Sequence, residues 1–171
     1  MTKESFAPIE KIAPRHDVAP FTCGQPPLDV FLKKHALNNL RANAALTYVL
    51  CRTDSSVVTG YYSLAVGSVD PLAAPSRVSA GLARHPVPVM ILARLAVDVR
   101  YQGFGIGRAL LKDSLLRTSE AADIAGIRAL VVHAKEEKTR AWYSRFDFEP
   151  SPTDPLHLFL LMKDLRAILA P

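Results

Sequence analysis

The sequence predicts a mixed α/β protein with a central sheet flanked by helices, and three observations lead to this prediction. Short apolar runs rich in Val, Tyr and Leu occupy residues 46–51 and 57–69, as expected for two hairpin strands. From residue 89 onward, apolar strand patterns alternate with amphipathic helix patterns, which is typical of strand–helix–strand units. The chain has 171 residues, of which 49% are hydrophobic and 22% charged, so we expect one domain over residues 1–171 with a sizeable core.

The first half of the chain contains one helix pattern before the hairpin. Apolar residues recur near helical spacing over residues 28–40 and follow two prolines, which are tolerated at a helix start. The residues on this face are Leu28, Phe31, Leu32, Ala36 and Leu40. A turn at residues 54–56 then separates the hairpin strands. Four prolines between residues 70 and 88 predict a long loop or a broken helix there.

The second half contains three strands and two helices in alternation. Residues 89–97 form an apolar strand pattern that Arg94 interrupts, and a helix is predicted from about Gly105 to Ala122. The elements expected after it are a strand at 127–133, a short helix at 138–146 and a closing strand at 156–162.

Charge and cysteine content narrow the class of protein only moderately. The formal net charge of +5 is compatible with binding nucleic acid, anionic membranes or phosphorylated cofactors, and equally with a solvated surface that binds none of these. Cys23 and Cys51 form no C-x-x-C pair, and no histidines lie near them at metal-ligand spacing, which favours free thiols and no metal site. The N-terminal segment lacks the apolar core of a signal sequence, and no apolar run approaches the roughly 20 residues of a membrane span. We therefore expect a cytoplasmic protein.

The segment LARLAVDVRYQGFGIGRALL concentrates the residues that point to chemistry. A strand pattern ends at Val97, and glycines at positions 103, 105 and 107 precede a helix pattern. Glycine lets a backbone approach a ligand closely, while the first turn of a helix offers unpaired N–H groups and a partial positive charge. Arg108 adds a cation at the same place. This combination predicts a site for a diphosphate.

Two common phosphate-binding loops do not fit these glycines. A P-loop requires Lys followed by Ser or Thr after its last glycine, and neither pair follows here. A dinucleotide-binding fold requires G-x-G-x-x-G early in a strand–helix–strand unit, whereas the spacing here is G-x-G-x-G and lies beyond the middle of the chain.

The pattern Q-x-x-G-x-G, formed by Gln102, Gly105 and Gly107, resembles the cofactor signature (R/Q)-x-x-G-x-(G/A) of the GNAT superfamily. The order of strand, turn, helix, second strand and tyrosine-bearing helix resembles this superfamily as well. The resemblance implies the GNAT acyl-CoA N-acyltransferase fold and acetyl-CoA as co-substrate, with its pantetheine lying against a bulged strand before the turn. The residues that it assigns to acetyl-CoA are Leu95, Ala96, Val97, Gln102, Gly103, Phe104, Gly105, Ile106, Gly107 and Arg108, with His133 as a further candidate.

The segment AWYSRFDFEP resembles the GNAT stretch Y-x-x-x-G-F and places Tyr143 at the position of its tyrosine. The resemblance implies that Tyr143 is a general acid, since a phenol with a pKa near about 10 can protonate a departing thiolate. Helical spacing alone favours a tyrosine that merely packs beside Trp142 and Phe146. Asp147 stands where the family usually has glycine, and aspartate tolerates a left-handed backbone better than most residues.

Blocks along nearly the whole chain, from about Phe21 to Leu165, are similar to the GNAT toxins of bacterial type II toxin–antitoxin modules. They include FTCGQPPLDVFL, VVTGYYSLAVGSV and LVVHAK. The resemblance implies acetylation of the α-amino group of an aminoacyl-tRNA, which stops translation. It also implies a homodimer and a ribbon–helix–helix antitoxin as partner, and operator DNA is then bound only through the complex that represses the operon.

The chemistry of the attacking amine agrees with such a substrate. Neutralising a lysine ε-amine at pH 7 costs about 3 kcal/mol more than neutralising an α-amine. Asp98 and Glu136 are the candidates for a dedicated base, and both also fit an ordinary surface position. Arg94 is the first candidate for a contact with tRNA, because a charge inside an apolar strand needs water or a partner. Further candidates, for which a solvated surface is the alternative, are Arg84, Arg77 and Lys33.

Two other functions stay open at the level of sequence. One is a GNAT enzyme that acetylates a small amine or a protein N-terminus, and the other is a non-catalytic module that binds an antitoxin or DNA. A Tyr143→Phe substitution separates the binding module from both enzymes, because only acetyl transfer depends on the phenol.

Overall fold

The computed structural model describes residues 5–171, which contain seven strands and six α-helices. The strands are β1 (Glu10–Lys11), β2 (Leu46–Cys51), β3 (Val58–Val69), β4 (Val87–Val97), β5 (Ala129–His133), β6 (Glu149–Pro150) and β7 (His157–Leu161). The helices are α1 (Pro26–Val30), α2 (Ala36–Arg41), α3 (Ser76–Ser79), α4 (Ile106–Ala122), α5 (Glu137–Ser144) and α6 (Met162–Leu169). A π-helical turn covers Phe31–His35, and 3₁₀ turns cover Pro71–Ala73 and Val99–Tyr101.

One mixed sheet contains the seven strands of the described chain in the order β1-β2-β3-β4-β5-β7-β6. β2 pairs antiparallel with β1 and β3, and β7 pairs antiparallel with β5 and β6. β4 and β5 pair in parallel, from Val89 opposite Ala129 to Ile91 opposite Val131. The predicted mixed sheet and the predicted hairpin of β2 and β3 are therefore confirmed.

The described chain forms two compact units, each assembled from two separate stretches. The first comprises residues 5–65 and Arg94–Ser114, and the second comprises Val66–Ala93 and Leu115–Pro171. The most buried apolar residues of the first unit include Phe21, Phe31, Leu32, Val58 and Tyr61. Those of the second unit include Val78, Val87, Val89, Ala129 and Phe159. Each unit therefore has an apolar core of its own.

The helix pattern predicted over residues 28–40 is present, but it is not one regular α-helix. It consists of α1, the π-helical turn and α2, and the Ala36 amide donates to the Phe31 carbonyl across five residues. Five residues of a regular α-helix would carry Ala36 about 140° round the axis from Phe31. The wider turn brings Ala36 back to the same side, and both residues are buried together with Leu32.

Two short helical pieces fill the proline-rich stretch between β3 and β4, in agreement with the broken helix that the prolines allow. They are the 3₁₀ turn Pro71–Ala73 and α3. Arg128 holds the end of α3, because its guanidinium donates to the carbonyl of Val78 at 2.8 Å and to those of Arg77 and Ala80 at 3.3 Å. The stretch is thereby attached to the residue that precedes β5.

The predictions differ most from the structure at the C-terminus. The predicted strand over residues 156–162 ends at Leu161, and α6 begins directly at Met162, where no helix was expected. Met162 and Leu165 are the buried residues of α6. β1 and β6 were not predicted either, since two residues are too few to show a strand period.

Three further expectations concern cysteines, membranes and the N-terminus. Cys23 and Cys51 are buried free thiols, and burial raises the pKa of each to about 11. No helix within residues 5–171 combines the length and the apolar character that crossing a membrane requires. Residues 1–4, where the segment inspected for a signal sequence begins, lie outside the described residues.

Candidate active site

The glutamine of the Q-x-x-G-x-G pattern fixes the start of the turn between β4 and α4, residues 98–105, which is called the glycine turn below. The side-chain amide of Gln102 donates to the carbonyl of Val97 at 2.9 Å and to that of Cys23 at 3.1 Å. These bonds connect the glycine turn to the segment that precedes α1. Gln102 therefore shapes the turn through its side chain, a contribution that the motif alone does not reveal.

A buried carboxylate orders the same turn. Asp98 is fully buried and accepts hydrogen bonds from the amides of Thr22 at 3.2 Å and Arg100 at 2.9 Å, and from the Arg100 guanidinium at 2.9 and 3.0 Å. Burial acts to raise the pKa of Asp98, but these bonds outweigh it and hold the pKa below its ordinary value. A carboxylate with a low pKa and four donors is a poor base. The surface position that the sequence allowed for Asp98 is therefore wrong, and its observed role is structural.

Two glycines give the turn its path and leave space beside it. Gly103 and Gly105 adopt left-handed backbone with φ of 86° and 82°. Apart from adjacent residues, no atom of the described chain lies within 4 Å of the point where a Cβ on either glycine would stand. The first hydrogen bond of α4 runs from the Ala109 amide to the Gly105 carbonyl at 3.1 Å, so the amides of Ile106 and Gly107 have no acceptor within the helix. Such amides at the positive end of a 17-residue helix suit a diphosphate.

A glycine in β3 allows the start of α4 to lie close to the sheet. A Cβ at Gly60 would stand 3.0 Å from Leu110 Cδ1, 3.1 Å from Ile106 Cγ2 and 3.4 Å from the Ala96 carbonyl oxygen. Carbon atoms in ordinary contact are about 3.5–4.0 Å apart, so only glycine fits here without displacing its neighbours. The sequence analysis missed Gly60, because an isolated glycine in a strand pattern is only a weak sign of close backbone approach.

The end of β4 leads into the glycine turn and belongs to the first unit. The ladder between β4 and β5 ends at Ile91, so residues 95–97 lie beyond it. On the side of β3, the Asp98 amide donates to the Thr59 carbonyl at 2.9 Å. Ala96 is buried, and its two neighbours are half-buried. The bulge expected in this stretch stays a prediction.

Tyr143 lies on α5 in the second unit and is only 5% exposed. Its ring meets Trp142 and Phe148 edge-on, with centroids 4.9 and 5.4 Å apart, and Trp142 in turn packs on Phe146. Among the described residues the Tyr143 hydroxyl has no hydrogen-bond partner. Burial raises the pKa of Tyr143 well above its ordinary value. The phenol therefore stays protonated at neutral pH and retains a proton that it can donate.

The chain turns sharply after α5 at the position where the family usually has glycine. Asp147 adopts φ of 68°, which confirms the left-handed backbone expected there. The next residue, Phe148, is buried and supplies the second aromatic contact of Tyr143. The aspartate thus preserves the turn that brings Phe148 to the catalytic candidate.

His133 ends β5 and is engaged with residues of its own unit. Its Nε2 lies 3.2 Å from Asp154 Oδ2, and its ring stacks on that of His157 at 5.4 Å. Burial, and secondarily the neighbouring His133, lower the pKa of His157. The contact of His133 with acetyl-CoA stays a prediction.

Three of the four basic residues predicted to contact tRNA have no carboxylate partner in the described chain. Arg94 is half-buried, and its guanidinium carbon lies 3.7 Å from the centroid of the Phe31 ring. Lys33 is exposed on the π-helical turn, and Arg84 is exposed shortly before β4. These charges remain available to a ligand.

Arg77 differs from the other three. Its guanidinium lies 2.9 Å from Asp164 and 3.6 Å from Glu149. The two carboxylates offset its charge, and the ion pair with Asp164 connects α3 to α6. Its observed role is therefore structural, while its contact with tRNA stays a prediction.

Groups for metal binding or base catalysis are few. Within residues 5–171, no cluster of three or more His, Cys, Asp or Glu side chains is placed to hold a metal ion. Glu136 is exposed immediately before α5, and its role as a base stays a prediction.

A strand that ends in a glycine turn, a long helix that starts there and a buried phenol on a later helix define an acyl-CoA-dependent N-acyltransferase. The family model of the acetyltransferase (GNAT) domain matches residues 46–150. The chain belongs to the GNAT acetyltransferase family, which confirms the predicted fold and enzyme class. Since this family takes its acetyl group from acetyl-CoA, the predicted co-substrate is confirmed as well.

Similar proteins narrow the class further. The tRNA-acetylating toxin of Mycobacterium tuberculosis (strain ATCC 25618 / H37Rv) is 50% identical over 164 residues, which cover 96% of this chain and 97% of the relative. A tyrosine-to-phenylalanine mutant of KacT matches with a TM-score of 0.90 and 28% identity over 96% of this chain and 99% of KacT. The predicted resemblance to GNAT toxins is therefore confirmed.

The protein AtaT is a second similar structure. In complex with acetyl-methionyl-tRNAfMet it matches with a TM-score of 0.89 and 27% identity over 97% of this chain and 100% of AtaT. AtaT is also known bound to the C-terminus of the antitoxin AtaR together with acetyl-CoA, and as an AtaT–AtaR complex bound to DNA.

Proposed function

We propose that this chain is a toxin that transfers the acetyl group of acetyl-CoA to the α-amino group of an aminoacyl-tRNA and thereby blocks translation. The observation that carries the proposal is the 50% identity to a tRNA-acetylating toxin over 96% of the chain. The complex of AtaT with acetyl-methionyl-tRNAfMet supports the same chemistry.

The glycine turn and the start of α4 are proposed to bind acetyl-CoA. The amides of Gly105, Ile106 and Gly107 would bind its diphosphate, because the last two lack acceptors within the helix and all three lie at its positive end. Gly103 gives the backbone its left-handed path, and Gln102 orders the turn. The other residues assigned to acetyl-CoA are Leu95, Ala96 and Val97 for pantetheine, Phe104 and Arg108 beside the diphosphate, and His133.

Tyr143 is proposed to be the general acid. The neutral amine attacks the thioester carbon, so that a C–N bond forms and the C–S bond breaks. The Tyr143 hydroxyl donates its proton to the departing sulfur, and the phenolate regains a proton from the acylated nitrogen through water. Burial keeps the phenol neutral, so its proton is present when the sulfur leaves.

The state of Asp98 supports an α-amine as the substrate. Asp98 is engaged by four donors and is unsuited to remove a proton from the amine. An α-amine has a pKa near about 8, and its neutral form costs about 3 kcal/mol less to reach at pH 7 than that of a lysine side chain. A substrate that is already partly neutral therefore suits this site best.

Basic residues of both units are proposed to contact the tRNA. Arg94 and Lys33 in the first unit and Arg84 in the second have no carboxylate partner among the described residues and would bind phosphates. We expect a smaller contribution from Arg77, because Asp164 and Glu149 already offset its charge.

The proposal includes the partners of a toxin–antitoxin module. The complexes of AtaT with AtaR and with DNA support an antitoxin that binds this chain and brings it to operator DNA. We assign the antitoxin to the ribbon–helix–helix class, the toxin to a homodimer and the site of action to the cytoplasm. We further propose that residues 1–171 form one GNAT domain, since the family model spans stretches of both units.

The test uses purified protein, radiolabelled acetyl-CoA and total charged tRNA. Label is expected on RNA and is expected to be released with the amino acid when the ester is hydrolysed by mild base. Label that appears only on small amines or protein N-termini would contradict the tRNA assignment and leave the acetyltransferase class intact.

Tyr143→Phe tests the catalytic assignment in the same assay. We expect kcat to fall about 10²-fold or more, the usual contribution of a general acid, with the affinity for acetyl-CoA retained. Tyr48→Phe is the matched control, because it removes the hydroxyl of another buried tyrosine, which lies on β2 outside the glycine turn and α4. If growth inhibition by Tyr143→Phe equalled that of the natural chain, a non-catalytic binding module would be favoured.

A further inference from the structure

The π-helical turn Phe31–His35 places its side chains in an unusual way. Phe31 and Leu32 are buried, whereas the next three residues, Lys33, Lys34 and His35, are all exposed. The turn is wider than that of an α-helix, so three consecutive residues lie on one side of it. The same feature that buries the Phe31 ring therefore leaves cationic side chains exposed next to it.

The Phe31 ring is held rigidly by other aromatic residues. It is 4% exposed and lies nearly parallel to the Tyr61 ring, with centroids 6.2 Å apart and an interplanar angle of 23°. The Tyr61 hydroxyl donates to the Leu28 carbonyl at 2.8 Å, and Phe21 meets Tyr61 edge-on at 5.6 Å. Because these contacts fix the position of the Phe31 ring, the rest of the ring forms a fixed surface against which another side chain can pack.

The Arg94 guanidinium occupies that surface. Its central carbon lies 3.7 Å from the Phe31 centroid, which is a close cation–π contact. Within the described chain, the Arg94 side chain has no hydrogen bond and no ion pair, whereas Arg77, Arg100, Arg140 and Arg166 all pair with carboxylates. The face of the guanidinium is therefore fixed while its in-plane N–H donors remain available. Such a planar fork is suited to bidentate binding of a phosphate.

We propose that Phe31 is a positioning residue that holds Arg94 as a bidentate clamp for a phosphodiester of the substrate RNA. This inference rests on the proposed function and adds to it the residue that orients the clamp and the device, a π-helical turn, that places this residue. Acetyl-CoA also carries phosphates, so the two sources of the ligand are separated by measuring each affinity by itself.

The experiment compares Phe31→Leu with Phe31→Trp and with the control Phe21→Leu in the acetylation of charged tRNA. Phe31→Leu removes the ring and is expected to raise KM for the RNA roughly two- to thirtyfold, the range that the strength of a cation–π contact implies. The value of kcat at saturating RNA and the affinity for acetyl-CoA measured by calorimetry are expected to be unchanged. Phe31→Trp keeps an aromatic face and should retain most of the affinity. Phe21→Leu removes a similarly buried ring, whereas the cation–π contact of Arg94 within the described residues is with Phe31.

A double-mutant cycle tests whether Phe31 acts on RNA binding through Arg94. In an Arg94→Gln background, which itself should reduce the salt dependence of RNA binding by about one phosphate contact, Phe31→Leu is expected to have no further effect on KM. Equal effects of Phe31→Leu with and without Arg94, an equal rise in KM for Phe21→Leu, or a weakened affinity for acetyl-CoA in place of RNA would each overturn the proposal.

Two controls keep the outcome interpretable. If Phe31→Leu fails to fold, Arg94→Lys replaces it: a point charge cannot form the planar fork, so KM should rise nearly as much as in Arg94→Gln, and an unchanged KM would overturn the clamp. If the natural chain acetylates no RNA, the proposed function itself fails, whereas acetylation that is insensitive to Phe31 and Arg94 refutes this inference alone.

Discussion

Replacing Gly60 by valine should loosen the start of α4 and weaken the binding of acetyl-CoA. Any Cβ at this position meets Leu110 and Ile106 side-chain carbons at 3.0 and 3.1 Å and the Ala96 carbonyl at 3.4 Å. Relief of the two carbon contacts requires a shift of about 0.5 Å, because ordinary separations are about 3.5–4.0 Å. Either the two side chains must change conformation or α4 must move away from β3. Valine adds two methyl groups to this Cβ, so we expect the helix to move and the amides that are proposed to bind the diphosphate to move with it.

The size of the effect follows from the cost of overpacking a core. Valine is expected to cost about 3 kcal/mol, the upper part of the usual range, and alanine about 1–2 kcal/mol. Alanine also lowers the entropy of the unfolded chain, which offsets about 0.5–1 kcal/mol of its cost. For a chain of this length, 1 kcal/mol changes Tm by about 2–4 °C, so valine should lower Tm by about 6–12 °C and alanine by only a few degrees.

Urea unfolding measures the free energy of each variant, and calorimetry with coenzyme A measures its affinity. Gly126→Ala is the matched control, since apart from adjacent residues no described atom lies within 4 Å of a Cβ there, and its Tm should stay within about 2 °C of the natural value. Gly60→Val with natural stability and natural affinity would refute the reasoning. A variant with lowered stability but natural affinity would refute only the inference that the position of α4 on β3 controls the binding of coenzyme A.

Three further outcomes are expected. Asp98→Asn should destabilise the fold by about 3 kcal/mol at pH 7. Because the pKa of Asp98 is lowered in the folded state, the difference in unfolding free energy between the variant and the natural chain should shrink as pH falls below about 4. A difference that is independent of pH in urea titrations would contradict this. Thr118→Val should raise Tm by about 2–4 °C, since the fully buried hydroxyl has no hydrogen-bond partner among the described residues, and an unchanged or lower Tm in calorimetry would count against it. The value of kcat should rise with pH as the substrate amine loses its proton. It should not fall again below about pH 10, because burial raises the pKa of Tyr143. A fall in kcat below about pH 10 that is absent in Tyr143→Phe would contradict this, because it would show that the phenol loses its proton at a lower pH.

Local patterns predicted the parts of the fold that local chemistry determines. β2 has the predicted bounds because its short run rich in strand-forming residues is clearly delimited. α4 begins within one residue of its predicted start because its apolar helical pattern is long. The left-handed backbone at Gly103, Gly105 and Asp147 follows from residue types that tolerate it. The backbone path of the segment that is proposed to bind the cofactor was therefore predictable from the sequence.

The supporting interactions of the site depend on residues far apart in sequence. Asp98 accepts from Thr22, 76 positions away, and Gln102 donates to Cys23, 79 positions away. No period or motif encodes such pairs, because they arise only when strands and loops have assembled. Gly60 belongs to the same group, since its importance lies in atoms of α4 that a strand pattern does not contain.

The π-helical turn shows a second limit of sequence patterns. The apolar spacing around Phe31 and Ala36 fits a regular helix only approximately. The sequence pattern predicted one regular helix and did not reveal the π-helical step of five residues between Phe31 and Ala36. The contact between Phe31 and Arg94 follows from that step and could not be read from either segment alone.

The division of each compact unit into two stretches has a consequence for synthesis. The first unit needs residues up to Ser114, whereas Tyr143 lies further along the chain on α5 of the second unit. At about 5–20 residues per second, the ribosome takes roughly 2–8 s to pass from the end of the glycine turn at residue 105 to Tyr143, so the turn that is proposed to bind the diphosphate is made before the proposed general acid. Because the proposed acetyl transfer needs both the turn and the phenol, we expect a nascent chain that has completed only the first unit to transfer no acetyl group.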